Sequence, residues 1–370
     1  MAAVALLIGV CPLRACPFCT ALKPTLCERR ETAAVAALAE FVAADGETKT
    51  FRVHQALVGK QQIAGKDELR IAVDWQGKAG ALAMLFAEGD AAATLDKLEW
   101  SAVGVNETSF AYIARAPSLR TKAAERLAYF VPFLQHADAL IADDVYQEFG
   151  HAPLSDVAKI ADHLPFDKLR RWLLDREIPQ ERKGFFGVAL GLATTDADRR
   201  ANLATLEKVM DSDENDFRAG FDGVLGGYLL LRGEKGLAEV ARRYFADAKT
   251  AEGDTRHAIS AVRFFYEYDD ASDRERFREA LRPLLDRPPF ASAAAIDLAR
   301  WKDWASLAKV AKLYDAADYP QPSTREAAVA YLLACPEDAA AKALAEIRTR
   351  DPKGVAAAEL KLGPIASPRQ

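Results

Sequence analysis

The sequence predicts an α+β chain in two parts, a small β-barrel or sandwich followed by an α-solenoid of stacked helix pairs. Two observations predict it. Up to residue 113, short apolar runs, several of them alternating at period two, are bounded by turn-forming Gly and Asp, as strands are. From Thr121 onward, apolar residues recur at spacings of three and four in runs of about 10–16 residues, and the short connections make neighbouring helices antiparallel. With 370 residues, half of them from the hydrophobic set, the chain can bury a large core without a metal or a disulfide.

Residues 1–15 open on an apolar run from Met1 to Val10. At about ten residues it is too short to span a bilayer, but it has the length of a secretory h-region. No basic n-region precedes it. The expectation is a signal-peptide remnant and an exported protein, in the periplasm or cell envelope. A buried N-terminal strand of a cytoplasmic protein is the alternative. Ala15-Cys16, with Leu13 three residues before the cysteine, also resembles a lipoprotein cleavage junction, which implies a lipid anchor at Cys16. No later segment has the uninterrupted apolar length of a transmembrane helix.

Four of the five cysteines precede residue 28: Cys11, Cys16, Cys19 and Cys27. Cys16-Pro17-Phe18-Cys19 has the spacing of a redox motif, half a zinc site or part of a disulfide framework. A redox motif belongs between a strand and a helix, and this one precedes any strand. Zinc needs four ligands, and no histidine lies before His54. A disulfide drawn from Cys16, Cys19 and Cys27 is the favoured reading, with the pairing open.

Residues 16–117 are expected to form the β-rich module. Ala33–Val42 fits helix or strand. Asp45-Gly46 signals a turn, and Thr50–Val58 alternates until Gly59 closes it. Leu69–Val73 alternates again. Ala81–Phe86 is apolar throughout and bounded by glycines, which suits a strand buried on both faces. Leu98–Val103 and Phe110–Ile113 complete five or six strands.

Residues 118–370 read as helices. Leu127, Phe130, Val131 and Leu134 form one apolar stripe; Leu140, Ile141, Val145 and Phe149 form the next. Ser155-Asp156, Asp196, Asp254-Thr255 and Ser323-Thr324 are expected caps, and Pro153, Pro179 and Pro336 expected first-turn prolines. Roughly fourteen helices are expected after residue 121, in pairs recurring at about 35–40 residues. A compact helical bundle is the alternative.

Three resemblances follow. Thr324–Leu332 resembles the second helix of a HEAT-type repeat, and Asp351-Pro352-Lys353-Gly354-Val355 the start of such a unit. Cys16 to Ile113 resembles a netrin-type OB module, with Phe51-Arg52-Val53 to Leu57-Val58-Gly59-Lys60 as its strand and turn, although Gly and Lys are transposed and no second cysteine set is present. The Ala-Cys-Pro-Phe-Cys start and Asp297–Trp304 resemble a group of exported proteins from planctomycete-type bacteria, which implies export and no known activity.

Asp144, Glu148 and His151 share one face if their segment is helical, and half of a di-iron carboxylate motif has the form Glu-x-x-His. They are the candidate metal ligands; a polar helix end is the plainer reading. Asp297 and Arg300 pair at i, i+3 beside Trp301 and Trp304, so Arg300, Trp301 and Trp304 are candidate binding anchors, or a helix-packing device. The glycines from Gly223 to Gly233 lie among apolar residues and read as close helix packing, not phosphate binding. A net charge of −5 without a basic stripe argues against nucleic acid. No cofactor is expected. The expected function is non-catalytic binding or scaffolding of protein partners, with thiol–disulfide or metal handling through Cys16 and Cys19 as the alternative.

Overall fold

The computed structural model describes residues 22–212, 218–268 and 272–362. The chain forms two compact units, residues 1–169 and 170–370. The apolar run at residues 1–15 and the cysteines Cys11, Cys16 and Cys19 lie outside the described residues.

In the first unit a short helix, α1 (Leu26–Thr32), precedes five strands. These are β1 (Val35–Asp45), β2 (Thr48–Val58), β3 (Glu68–Ala72), β4 (Leu82–Glu88) and β5 (Glu99–Gly104), paired antiparallel in the order β3-β2-β1-β4-β5. The sheet curls into a half-barrel. Its curl has a local source in β1, whose pairing with β2 slips at Ala36/Ala37, Leu38/Ala39 and Phe41/Ala43. Each slip adds bend and twist. Gly46, at φ +59°, supplies the left-handed residue of the β1–β2 turn.

Inside the curl, Phe41, Phe51 and Trp75 meet with ring centroids 5.4–6.2 Å apart, over Leu69, Ile71, Ala83 and Leu85. On the other face Ala36, Met84 and Phe86 are also buried. Helix α1 packs there against β2 and β4, with the Arg29 guanidinium 4.2 Å from the Phe86 ring centroid. Burial on both faces explains why β4 reads as an unbroken apolar run.

Phe110–Ile113 is not a strand. It lies in α2 (Glu107–Arg115), started by Asn106, whose side chain accepts from Ser109 N while Ser109 Oγ accepts from Asn106 N. Four apolar residues are too few to distinguish period two from period 3.6, and the reciprocal cap decides for the helix. After α2 come α3 (Ala123–Phe130), α4 (Ala139–His151) and α5 (Leu154–Ala158). Helix α2 packs on α1 and α4, and α3 on α4 and α5. The sheet therefore shares its unit with helices beyond residue 117.

Helix α6 (Phe166–Leu174) carries the division between the units. The second unit continues with α7 (Gln180–Leu190), α8 (Asp196–Met210), α9 (Phe221–Val240) and α10 (Glu252–Tyr268). It ends with α11 (Arg274–Leu281), α12 (Pro288–Arg300), α13 (Leu307–Leu313), α14 (Pro322–Ala334), α15 (Asp338–Arg350) and α16 (Pro352–Leu362). Among the described residues, α3 to α16 are the helices expected after residue 121, fourteen of them. Pro288, Pro322 and Pro352 occupy first helical positions, where their missing amide leaves no bond unmade.

Helix α7 lies backbone to backbone on α9. A Cβ on Gly223 would collide with Gly184 O, and one on Gly227 with Gly187 O. Gly223 and Gly227 thus serve close helix packing, as their apolar setting predicts, whereas Gly233, at φ +55° with open space around it, marks a kink in α9. In the last third, α12 packs on α14 and α14 on α16, while α13 packs on α15; consecutive helices α13 to α16 also touch. Among the described residues no helix is long and apolar enough to cross a membrane.

Candidate functional site

Asp144, Glu148 and His151 do share a face of α4, and Asp144 and His151 bond main-chain atoms of the segment from Lys23 to Glu28. Asp144 Oδ1 accepts from Leu26 N at 2.6 Å and its Oδ2 from the Tyr112 hydroxyl at 2.7 Å. Glu148 Oε2 pairs with Arg126 Nη1 on α3. His151 Nε2 is 3.0 Å from Lys23 O, its Nδ1 is 3.6 Å from Glu28 Oε1, and Gln147 Oε1 accepts from Lys23 N at 2.8 Å. Thr25 completes the arrangement as N-cap of α1, with a reciprocal bond to Glu28. The acidic face of α4 therefore receives the amide-bearing start of α1, where negative charge is favoured.

Each of Asp144, Glu148 and His151 faces a different partner, and among the described residues no group of three or more His, Cys, Asp or Glu could hold a metal ion. Burial lifts the Asp144 carboxyl to about 6, against the bonds from Leu26 N and Tyr112. Burial also raises Glu148, opposed by the Arg126 charge. Burial is the largest cause of both shifts.

Cys27 is a free, buried thiol that donates to Pro117 O at 3.1 Å. Burial pushes it up to about 11, against the pull of Arg30. Beside it, Arg30 Nη1 donates to Ile113 O and Ala116 O at 2.7 and 2.9 Å, closing the end of α2. Its proposed disulfide partners, Cys16 and Cys19, lie outside the described residues.

Trp301 and Trp304 do not share a helix face. Helix α12 ends at Arg300, and Lys302 takes a left-handed φ of 56°. Trp301 is buried and stacks on Tyr266 at 4.1 Å; Trp304 meets Tyr331 edge-on at 5.4 Å. Asp297 is held by Arg263 at 2.6 Å, with the exposed Arg300 at 3.8 Å. The aromatic pair thus ties α12 to α10 and α14.

Sequence reasoning missed a cavity of about 260 Å³ in the second unit. Its walls come from the end of α6, the start of α7, the end of α8 and the start of α9. Four cations line it, namely Arg176, Lys183, Lys208 and Arg218, with Leu173, Val209, Phe221 and Val224 as apolar wall. Arg218 is buried and fixed: it pairs with Asp254 at 3.3 Å, bonds Val209 O, and lies 3.5 Å from the Phe221 ring centroid. The four cations are far apart in sequence, so no local motif announces them. The available signal was Gly220 and Gly223, whose lack of side chains lets α9 start against α7. With the geometry as the guide to function, comparison with protein-family models, curated proteins and solved structures gave no match.

Proposed function

We propose that this chain is a non-catalytic, exported binding or scaffold protein that engages protein partners through the surface of its helical unit. The observation that carries the reading is the stacking of α12, α14 and α16 in one rank and of α13 with α15 in a second. Two ranks with consecutive helices alternating between them support the reading as an α-solenoid of HEAT-like pairs, in which each pair would bury its apolar face on its neighbours and leave a continuous outer surface. The strand order of the half-barrel, with β1 between β2 and β4, supports an OB-like reading of the first unit. Export rests on the apolar run from Met1 to Val10.

The test is site-specific photo-crosslinking in the native cell envelope, with a benzoylphenylalanine at exposed Lys312, Lys342 or Glu346 and a control at Lys60 in the first unit. One partner recovered from the three helical positions and absent from the control is the expected result. No adduct at any of them, with turnover on a substrate panel, would sink the proposal.

A further inference from the structure

We propose that the cavity walled by α6, α7, α8 and α9 binds a small organic anion, a phosphate or carboxylate head on a short apolar body. This goes beyond the protein-binding reading and does not rest on it. The chain as a whole is acidic, at −5, yet four cations line this one cavity and no carboxylate does among the described residues. Asp254 already answers Arg218, which leaves the ammonium groups of Lys183 and Lys208 as the charge that an anion in the cavity would answer.

Three of the four cations have a defined part. Arg218 is locked by Asp254, Val209 O and the Phe221 ring, so it presents a fixed positive wall. Lys183 and Lys208 form neither a hydrogen bond nor an ion pair among the described residues, so their ammonium groups are available to a ligand. Ala219, Gly220 and Phe221 bring the start of α9 to the same wall.

The remaining wall is apolar. Leu173, Phe221 and Val224 face the cavity, and Leu174 stands 41% exposed beside it. A bare inorganic ion would leave that surface wet. The volume of about 260 Å³ lies just under the range of about 300 Å³ and upward that holds drug-sized ligands, so a single ring or short chain fits and a dinucleotide does not.

The test is calorimetric titration of the full chain with phenyl phosphate at low salt, beside inorganic phosphate and phenol. One-to-one saturable binding of phenyl phosphate is expected, with each of the other two at least ~10-fold weaker. The double variant K183Q/K208Q should lose ~10-fold or more in affinity with an unchanged melting temperature, and K183R/K208R should keep the binding. The absence of saturable binding overturns the proposal, as does equal affinity in K183Q/K208Q. Co-sedimentation with phosphatidylglycerol vesicles, without binding of phenyl phosphate, would assign the cations to a lipid surface and overturn it too.

Discussion

Asp144 is a carboxylate whose burial is only partly offset by its two hydrogen bonds. Its folded pKa of about 6 lies above the ordinary 3.8, so between those values the folded chain holds a proton that the unfolded chain has released. Stability from this residue therefore rises as pH falls from about 6 to about 4, and is at its lowest above 6. Asp144→Asn keeps an oxygen for Leu26 N and offers an amide to the Tyr112 oxygen. It should be more stable than the parent by about 1–3 kcal/mol at pH 7, an advantage that vanishes near pH 4. Urea unfolding of both proteins across that range checks the sign; a pH-independent loss in the variant would refute it. Cys27, pushed up to about 11 by burial, is a thiol at neutral pH and should react with iodoacetamide only as fast as the protein unfolds, as peptide mapping would show. The helical spacing of Asp144, Glu148 and His151 was legible in the sequence. Their partners were not, because Leu26 lies 118 residues from Asp144 and no local pattern joins them.

At the scale of elements, period and punctuation were readable and exact starts were not. The strands at Thr50–Val58, Leu69–Val73 and Ala81–Phe86 lie within two residues of their observed bounds. Asp196 was the expected cap of α8, but Thr195 holds that position and accepts from Asp198 N at 3.1 Å. Both residue types can cap, and only the backbone decides which one leaves the helix. The seam between α7 and α9 makes two opposite predictions. Gly227→Ala places a methyl group against Gly187 O and should destabilise by about 1–3 kcal/mol. Gly253→Ala, in α10 with open space around it, should instead stabilise by about 0.4–1 kcal/mol. Thermal unfolding of the two variants distinguishes a packing glycine from an idle one. Arg126 is the charge partner of fully buried Glu148, so Arg126→Met should cost about 3 kcal/mol or more, loosening α3 from α4.

At the scale of the whole molecule, composition and periodicity revealed an α+β chain with its sheet first and its helices after. They did not reveal that α1, lying before the sheet, is gripped by α2 and α4 after it, since that contact joins residues far apart in the chain. In the second unit, α16 has neighbours in α14 and α15, and Leu360 on it is 84% exposed. The proposed stacked array would set stability by nearest-neighbour interfaces, so amide exchange in α16 should outpace that in α12 and α14. Uniform protection from α12 to α16 would mean one indivisible core.

Where α7 and α9 touch through their main chains, every codon change adds atoms that have nowhere to go. A saturation mutagenesis survey would find Gly187, Gly223 and Gly227 as intolerant as a catalytic signature. Their intolerance would record how near two rods lie, and a search for chemistry guided by sensitivity alone would be drawn to the wrong side of the cavity wall.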